Sequence, residues 1–538
     1  MLSQLFDRET GRLLDENPEA AIYVEAVRQF CLFFKKILLP CTPERENAAL
    51  QNFKEVEQIN KSFQAPEDTD RLFLSVSSVL WDNCLGNILP DQLVPRHGPG
   101  ATAERITGNR KFVWQRWHER LEVFFPFLGS AISTTASDSG DFRDVTFVPV
   151  DQEQPVRVTL VPKTLKSPRI IAIEPVCMQY IQQAIRAYLY DRIESYWLTR
   201  GHVSFTRQTG NQRLAKISSR TGRLATIDLS DASDRVPRDL ALRMLDGNPE
   251  LRDAVDACRS IGAELPSGEI ISPLYKFASM GSALCFPIEA MYFYTICVMA
   301  RLVKHNLPPT PLNIFKMTRR VFVYGDDIVV PTDDAGAVLD YLRKYNCKVN
   351  DSKTFVTGKF RESCGVDAYD GEVVTPIYLR RERPRTRQQV HELISWIATA
   401  NLLYLKGCWR TASHMFTACE KVLGPLPYVS PDSSVLGRIS LLGYRTIHGW
   451  NDGFQAFTMK AWKPAPIYRC DRVDGYAALQ KCLISLELSD KEDSEHDSLL
   501  SPNRQKGFIT PLSVDKRHLE HSARRGAVTL KHRWVPVT

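Results

Sequence analysis

The sequence predicts an α+β fold in which an antiparallel sheet carries a Gly-Asp-Asp hairpin, and three observations predict it. In residues 320–332, RVFVYGDDIVVPT, two apolar β-forming runs flank a glycine and two adjacent aspartates. Residues 353–381 combine alternation with turn residues, as a β meander does. Residues 175–197 and 287–303 have the apolar periodicity of long helices.

Composition restricts the class of protein. Of the 538 residues, 43% are hydrophobic and 24% are charged, which is an ordinary globular balance. The formal charge of +7 is compatible with a polyanionic partner but does not establish one. The thirteen cysteines form no C-x-x-C pair and no zinc-type cluster, so we expect reduced thiols and no zinc site.

No membrane segment is expected. The most apolar stretches, residues 20–40 and 286–303, both contain charged residues. Neither reaches the roughly 20 apolar residues that span a bilayer. Both are predicted to be helices that pack inside a protein.

Other elements follow from local patterns along the chain. They are predicted in this order: a mainly helical region over 1–95, a turn at 97–104, strands and loops over 143–173, a short strand at 223–229, a helix from Pro237, a helix at 333–346, and a helical C-terminal third that begins at 386–406. Near the end, residues 487–497 carry six acidic side chains, and residues 499–538 carry eight Lys/Arg against two Asp/Glu. This composition favours an acidic and then basic tail that is solvated or disordered.

The hairpin raises a question of charge. Asp326 and Asp327 repel each other within a segment that is otherwise suited to burial. Gly325 permits a tight turn at which both carboxylates can address one point. A hard divalent cation, most simply Mg²⁺, fits such ligands. The alternative is an Asp-rich surface turn.

A second acidic segment is TIDLSDASD, residues 226–234. Asp228 ends a short apolar strand, where an unpaired carboxylate is unfavourable. If both strands end in carboxylates, they can hold two cations about 3.5–4 Å apart, as phosphoryl transfer requires. The alternative is a capped helix start, because Ser230, Asp231 and Ser233 are good N-caps.

A basic segment, LVPKTLKSPRIIAIEP, covers residues 160–175. Lys163, Lys166 and Arg169 recur every three residues between prolines, which favours an extended loop. Three cations on an ordered loop suit a triphosphate. A solvated basic loop is the alternative.

Two further features are weak alone. Residues 279–281, Ser-Met-Gly, form a small-residue loop before a helix, and such a loop lets a backbone approach a sugar–phosphate chain. Lys353 follows the hairpin and its helix, where a lysine could protonate a leaving pyrophosphate. In isolation they are a loop and a surface lysine.

Together these segments resemble a known family. LATIDLSDASD, SMGSALCFPIE, VYGDDIV, NDSKTF and FRESCG occur in the order of palm motifs A to E of viral RNA-dependent RNA polymerases. They are most similar to the replicase β subunit of the positive-strand RNA bacteriophages, the levivirus group. The segment VPK-x₂-K-x₂-R resembles the fingers motif F, and GNQRLAK at 210–216 also matches the group. The resemblance covers about residues 95–385.

The resemblance implies a right-hand polymerase fold of fingers, palm and thumb, with the Gly-Asp-Asp hairpin in the palm sheet. It implies two Mg²⁺ ions, or Mn²⁺ in their place, on Asp228, Asp326 and Asp327, and a general-acid role for Lys353. The implied nucleotide contacts are Lys163, Lys166, Arg169, Asp234, Ser279 and Gly281. Five residues separate Asp228 from Asp234, whereas animal-virus polymerases usually have four, so Ser233 is an alternative to Asp234 for recognising the ribose 2′-hydroxyl.

The resemblance also divides the chain into regions. They are a mainly helical fingers region (1–105), fingers with the basic loop (106–220), a palm (221–385) with a fingers insertion around 250–275, a helical thumb (386–480) and the C-terminal tail (481–538). Arginines at the exit from the palm are predicted to contact the RNA backbone, with an arginine-rich surface linker as the alternative. They are Arg380, Arg381, Arg383, Arg385 and Arg387.

The implied activity is RNA-directed RNA synthesis during phage genome replication. The implied partners are the RNA template and product, ribonucleoside triphosphates, host translation elongation factors and, in some members, a ribosomal protein. The implied location is the host bacterial cytoplasm. A reverse transcriptase, a two-metal nuclease and a catalytically silent RNA-binding repressor are the alternatives. Leu229 to Ser233 include no bulky aromatic that would exclude a ribose, which disfavours the reverse transcriptase.

Overall fold

The computed structural model describes residues 2–7, 9, 10, 14, 19–88, 93–132, 144–164, 167–467, 472–499, 515–523 and 527–537, with only the backbone described for 488–499. Helices are mixed with small sheets whose strands are mainly antiparallel. The α+β class predicted from the sequence is confirmed.

The N-terminal region is helical, as predicted. Its helices are α1 (Leu2–Leu5), α2 (Ala20–Leu32), α3 (Pro43–Ser62) and α4 (Glu67–Leu85). Helix α3 has Pro43 in its first turn together with Glu44 and Glu46, which are favourable at a helix N-terminus. This helix lies along one wall of the candidate site described below.

The next region contains the basic loop. Its elements are β1 (Arg116–His118), α5 (Glu119–Glu122), α6 (Phe127–Ser130), β2 (Thr146–Val148), β3 (Val156–Val161), β4 (Arg169–Ile173), α7 (Val176–Ser195) and α8 (Thr209–Thr221). Strands β3 and β4 pair antiparallel, with Val161 opposite Arg169. The basic loop therefore connects two neighbouring strands, and helix α7 begins directly after Pro175, as the sequence predicts.

The central region holds the predicted hairpin and meander. Its elements are β5 (Leu224–Ile227), β6 (Leu229–Ser230), α9 (Arg238–Arg243), α10 (Pro249–Ala257), β7 (Ala263–Glu264), β8 (Ile270–Ile271), α11 (Cys285–Lys304), α12 (Pro311–Thr318), β9 (Phe322–Tyr324), β10 (Asp327–Pro331), α13 (Ala335–Lys344), β11 (Lys348–Val349), β12 (Phe360–Ser363), β13 (Val366–Tyr369) and β14 (Glu372–Val373). Strand β10 lies between β5 and β9, and β12, β13 and β14 form the meander. The hairpin, the meander and the helices around them are confirmed.

Helix α11 is the centre of the largest core. By length and composition alone it could cross a membrane, but 89% of its most apolar window is buried inside the protein. It packs with α4, α7 and α13 around side chains such as Trp81, Tyr180 and Leu342. The prediction of a helix packed in protein is confirmed for this stretch.

The C-terminal region differs from the helical prediction. Its elements are α14 (Val390–Leu405), α15 (Trp409–Leu423), β15 (Tyr428–Val429), β16 (Arg438–Ile439), β17 (Gly449–Asn451), β18 (Ala456–Pro466), α16 (Gly475–Leu499), α17 (His518–Ala523) and β19 (Val528–Pro536). The prediction that residues 386–480 are helical is therefore wrong between Leu423 and Gly475, where strands β15 to β18 lie. Strand β18 pairs from Thr458 to Pro466 with β19, a partner that lies some 70 residues further along the chain.

The C-terminal tail, which the sequence predicts to be solvated or disordered, contains regular structure in its described parts. Helix α16 continues across the predicted boundary at 481 to Leu499, and β19 forms an edge of the three-stranded sheet β17-β18-β19. Met459, Ala461 and Val535 give this sheet a buried apolar face. Residues 500–514 lie outside the described residues.

Candidate active site

Three aspartates lie at one end of the central sheet. Asp228 separates β5 from β6, and Asp326 and Asp327 lie at the turn of the β9–β10 hairpin. Strand β10 runs antiparallel to β5, with Ile328 opposite Ile227. The same register places Asp327 beside Asp228. The fold thus brings together the carboxylates of two segments that are about a hundred residues apart.

Gly325 has two reasons to be glycine. Its φ of +60° lies in the left-handed region. A Cβ atom at this position would also lie 2.1 Å from Cε2 of Phe286. Phe286 packs edge-on against Tyr324, with ring centroids 5.1 Å apart. The turn was predicted from the sequence, but the contact with Phe286 was not.

The carboxylate of Asp228 is held by the segment that follows helix α13. Asn350 Nδ2 donates to Asp228 Oδ2 at 2.7 Å, and Lys353 Nζ lies 3.4 Å from Asp228 Oδ1. Partial burial lowers the pKa of Lys353, but the charges of Asp228 and Glu362 outweigh this effect, so the pKa is raised. Lys353 is therefore a protonated ammonium at neutral pH.

Asp327 is held by the meander. Its Oδ1 accepts hydrogen bonds from the backbone N–H of Cys364 at 3.0 Å and from Ser363 Oγ at 3.3 Å. Burial raises the pKa of Asp327, and the charges of Asp326 and Asp228 raise it further, whereas the hydrogen bond from Cys364 lowers it. The resulting pKa is about 6. FRESCG therefore positions a member of the acidic cluster.

Asp326 is the carboxylate best placed for a cation. It is open towards a cavity, yet protein atoms surround it closely. This partial loss of solvent and the charge of Asp228 raise the pKa of Asp326, against the opposing charges of Lys163 and Lys353. Among the described residues, no other residue donates a hydrogen bond to its side chain, so nearby positive charges stabilise this carboxylate instead of hydrogen bonds from other residues.

The donor set fits a hard divalent cation, because it consists of carboxylate oxygens alone. Asp228 and Asp327 also accept hydrogen bonds from the protein. In this side-chain arrangement, no group of three or more His, Cys, Asp or Glu residues in the described ranges is close enough together to hold a metal. Asp326, Asp228 and Asp327 are the residues from which such a site would be built.

One open cleft of about 790 Å³ joins the predicted motifs. Its wall includes the basic loop, the segment from Leu229 to Asp234, the loop at 280–282, Asp326 and helix α3. The residues proposed from the sequence that line it are Lys163, Arg169, Ser233, Asp234, Gly281 and Asp326. Separate stretches of sequence therefore meet at a single cavity that contains both acidic and basic groups.

Lys163 of the basic loop lies close to the acidic cluster. Burial lowers the pKa of Lys163, and the charges of Arg169 and Lys353 lower it further, whereas Asp326 and Asp228 oppose this effect. These influences indicate that Lys163 lies near both carboxylates. Lys166, the third cation predicted for this loop, lies outside the described residues.

The segment after Asp228 does not start a helix with a side-chain cap. Residues Ser233–Arg235 form a single 3₁₀ turn without such a cap, and the next helix begins after Pro237. Asp231 has a φ of +54° and accepts a hydrogen bond from Asn52 Nδ2 at 3.3 Å. The capped helix start is therefore wrong, because tertiary contacts fix this segment.

Asp234 and Ser279 are in direct contact. Ser279 Oγ donates to Asp234 Oδ1 at 2.7 Å. Both Ser233 and Asp234 line the cavity, so both are candidates for contact with a ribose. Gly281 packs onto strand β4: a Cβ atom there would lie 1.9 Å from the carbonyl oxygen of Ala172.

The arginine-rich segment follows the meander and leads to helix α14. Arg383, Arg385 and Arg387 are exposed, whereas Arg380 and Arg381 are partly buried. Arg387 stacks over Trp462, 5.2 Å from the ring centroid, and donates to the carbonyl of Val422. The five arginines thus lie on an ordered segment, and the prediction of RNA contact stays a prediction.

Sequence analysis missed several residues that shape the site. They are Asn52, Glu57 and Asn60 on helix α3, Lys276 before the loop at 279–281, Asn350, and the meander residues Ser363 and Glu362. Lys276 carried a usable signal, since a lysine within the apolar run LYKFA needs an acidic partner if the run is buried. The helix α3 residues carried none, because nothing local connects them to residues almost 200 positions away.

Comparison with known proteins identifies relatives of this chain. It is 34% identical over 275 residues to the RNA-directed RNA polymerase subunit beta of Enterobacteria phage SP. The aligned region covers 50% of this chain and 43% of that protein. It is 36% identical over 224 residues to the RNA-directed RNA polymerase beta chain of Enterobacteria phage fr, covering 42% and 37%. The subunit beta of Escherichia virus Qbeta is 31% identical over 308 residues, covering 55% and 48%. The chain thus spans about half the length of the relatives it matches.

Among solved structures, the RNA-dependent RNA polymerase of a human picobirnavirus is similar to this chain, with a TM-score of 0.34 and 15% identity over 50% of this chain and 55% of that one. The family model described as RNA replicase, beta-chain, matches residues 130–398, which is half of the chain and includes every predicted catalytic residue. The chain therefore belongs to the RNA replicase beta-chain family.

Proposed function

We propose that this protein is an RNA-directed RNA polymerase that joins ribonucleoside triphosphates on an RNA template. The observation that carries this proposal is the single cleft in which Asp326, Asp234, Lys163 and Arg169 meet. Carboxylates for metal ions beside cations for a triphosphate are what nucleotidyl transfer requires. Membership of the replicase beta-chain family supports the same activity.

The acidic cluster has a specific role in this proposal. Asp228, Asp326 and Asp327 would hold two Mg²⁺ ions, or Mn²⁺ in their place. When bound, these ions supply Lewis-acid stabilisation of the attacking and leaving oxygens. Asn350 orients Asp228, and Ser363 with the Cys364 amide orients Asp327.

The surrounding residues bind and orient the nucleotide. Lys163 and Arg169, together with Lys166 from the same loop, would neutralise the triphosphate. Asp234 or Ser233 would contact the ribose, and the loop from Ser279 to Gly281 would support the nucleotide or the template base. Lys353, held beside Asp228, would donate its proton to the leaving pyrophosphate.

The regions of the chain receive the corresponding assignments. We propose fingers over 1–220, a palm over 221–385 with an insertion around 250–275, and a thumb from 386 that contains both the helices α14 and α15 and the strands β15 to β18. Arg380, Arg381, Arg383, Arg385 and Arg387 would contact the RNA backbone on its way out of the palm. We also propose that the protein works in the cytoplasm of a host bacterium with host elongation factors and a ribosomal protein.

The proposal predicts Mg²⁺-dependent RNA synthesis. Purified protein is incubated with a C-rich RNA template and labelled ribonucleotides, with Mg²⁺ or with EDTA, alone and in host-cell extract. The expected product is template-length RNA whose synthesis requires Mg²⁺. If the purified protein is active only when host-cell extract is added, it requires a host partner. Synthesis of DNA would favour a reverse transcriptase, and cleavage of RNA would favour a nuclease. RNA binding with neither synthesis nor cleavage would favour a repressor.

Replacing Lys353 tests its role as general acid. We expect Lys353→Ala to slow single-turnover incorporation by about 10²-fold and to flatten the alkaline limb of the pH profile. Lys353→Arg is the matched variant, since it keeps a cation beside Asp228 but does not release a proton. Equal rates for Lys353→Arg and the parent would contradict the role.

Metal affinity should depend on pH through Asp327. With a pKa of about 6, this carboxyl is protonated and neutral below that pH and is then a weaker ligand. The Mg²⁺ concentration for half-maximal synthesis should therefore rise by up to about tenfold for each pH unit below the pKa. In Asp327→Asn, Mg²⁺ affinity measured by direct binding instead of synthesis should no longer change with pH in this range. A half-maximal concentration that is constant from pH about 5 to about 8 would contradict the assignment.

A further inference from the structure

Lys276 is a completely buried lysine beside the candidate nucleotide site. Its Nζ lies 2.9 Å from Asp234 Oδ1, 3.6 Å from Glu57 Oε2 and 3.3 Å above the ring centroid of Phe53. An ammonium group without solvent is strongly unfavourable unless carboxylates compensate it. The carboxylates of Asp234 and Glu57 therefore stabilise this buried charge.

Asp234 is fixed from one side only. Oδ1 accepts hydrogen bonds from Lys276 Nζ and from Ser279 Oγ, and the backbone carbonyl of Asp234 accepts from Asn60 Nδ2 at 2.7 Å. Among the described residues, none donates to Oδ2. Since Asp234 lines the cavity, one carboxylate oxygen is locked in place while the other can accept a hydrogen bond from a ligand.

Helix α3 holds this arrangement from behind. Glu57 Oε1 accepts hydrogen bonds from the backbone N–H groups of Tyr275 and Lys276. Asn60, one turn further along the same helix, bonds to Asp234 and to Asn346. The helix thus fixes both the lysine and the aspartate, although neither Glu57 nor Lys276 belongs to any motif in the sequence.

We propose that Lys276, supported by Glu57, is a positioning residue that fixes Asp234 to accept the 2′-hydroxyl of an incoming ribonucleotide. Lys276 and Glu57 thereby set the preference for ribonucleotides over 2′-deoxyribonucleotides. A carboxylate paired with an ammonium is an acceptor only, so it suits a hydroxyl donor. A deoxyribose leaves Oδ2 without a donor in a partly desolvated site, which disfavours that substrate.

This inference rests on the proposed function and is tested on nucleotide choice. Single-nucleotide incorporation is measured for a ribonucleotide and its 2′-deoxy analogue, as the ratio of their kcat/KM values. In Lys276→Met the ratio should fall by about tenfold or more, mainly through slower use of the ribonucleotide. Because methionine removes the ammonium that lies beside the buried Glu57 carboxylate, the double variant Glu57→Gln/Lys276→Met is tested as well. Its glutamine keeps an oxygen for the amides of Tyr275 and residue 276.

Lys316→Met is the matched control, because Lys316 is an exposed lysine on helix α12, and its ratio should equal that of the parent. An unchanged ratio in the folded double variant would overturn the proposal, including one that results from equal losses of kcat/KM for both substrates. Affinities for ATP and 2′-dATP, measured without template, provide a second readout. If the parent incorporates neither substrate, with and without host-cell extract, the proposed function fails, whereas a lowered ratio of these affinities in the variants would still support the role of Lys276.

Discussion

Asp326→Asn is expected to abolish RNA synthesis while leaving RNA binding intact. The substitution removes one negative charge and keeps the shape of the side chain. No other described residue donates a hydrogen bond to the Asp326 side chain, so its charge is available for the proposed metal ion. Losing a metal ligand that acts in the transition state should lower the rate by about 10³-fold or more, equivalent to about 4 kcal/mol. Lys163 and Arg169 still present a positive wall to the RNA.

The measurement is single-turnover incorporation together with RNA affinity at two salt concentrations. Asp333→Asn is the matched control, since it removes the same charge from an exposed aspartate after the same strand. Its rate should equal that of the parent. Near-normal elongation by Asp326→Asn would remove Asp326 from the metal site, and a parallel loss of RNA binding would indicate a damaged fold.

The sequence predicted what local patterns determine. The hairpin around Gly325, the meander after Lys353 and the buried helix before Val303 each follow from periodicity and turn residues within about twenty positions. The meeting of Asp228 with Asp327 follows from antiparallel pairing, because Asp228 comes at the end of β5 and Asp327 at the start of β10, and such pairing places an end beside a start. These elements position most of the proposed catalytic groups.

The parts that were missed depend on partners distant in the chain. Strand β18 was assigned to a helical region because its partner β19 begins about 70 residues later. Asp231 and Ser233 suit a helix cap by composition, yet contacts from helix α3 hold this segment. Lys276 meets Asp234 and Glu57 only in the folded chain. Tertiary context decides such cases, and local propensity cannot override it.

Gly281 combines a local signal with a tertiary one. The sequence marks residues 279–281 as a small-residue loop, but the reason for glycine at its end lies in strand β4. Gly281 has a φ of +137°, and the backbone N–H of Ala172 donates to the carbonyl of Met280 at 2.8 Å. The loop is thus tied to the strand that follows the basic loop, and a side chain at 281 would meet backbone atoms that cannot move aside.

We therefore expect Gly281→Ala to lower the free energy of unfolding by about 2–5 kcal/mol, because a strained φ and a Cβ 1.9 Å from a carbonyl oxygen both have to be relieved. Relief requires the loop to move, which would separate Ser279 from Asp234 and raise KM for the ribonucleotide. Urea unfolding and steady-state incorporation measure the two effects.

Gly336→Ala is the matched control for that substitution, since Gly336 lies in helix α13 with open space around its Cβ position. Alanine there should stabilise the protein by about 0.5–1 kcal/mol. A protein that tolerated alanine at 281 as well as at 336, with unchanged KM, would show that the loop is not clamped onto β4 in solution. A loss of stability at 281 with unchanged KM would show instead that the clamp is structural and does not position Ser279 against Asp234.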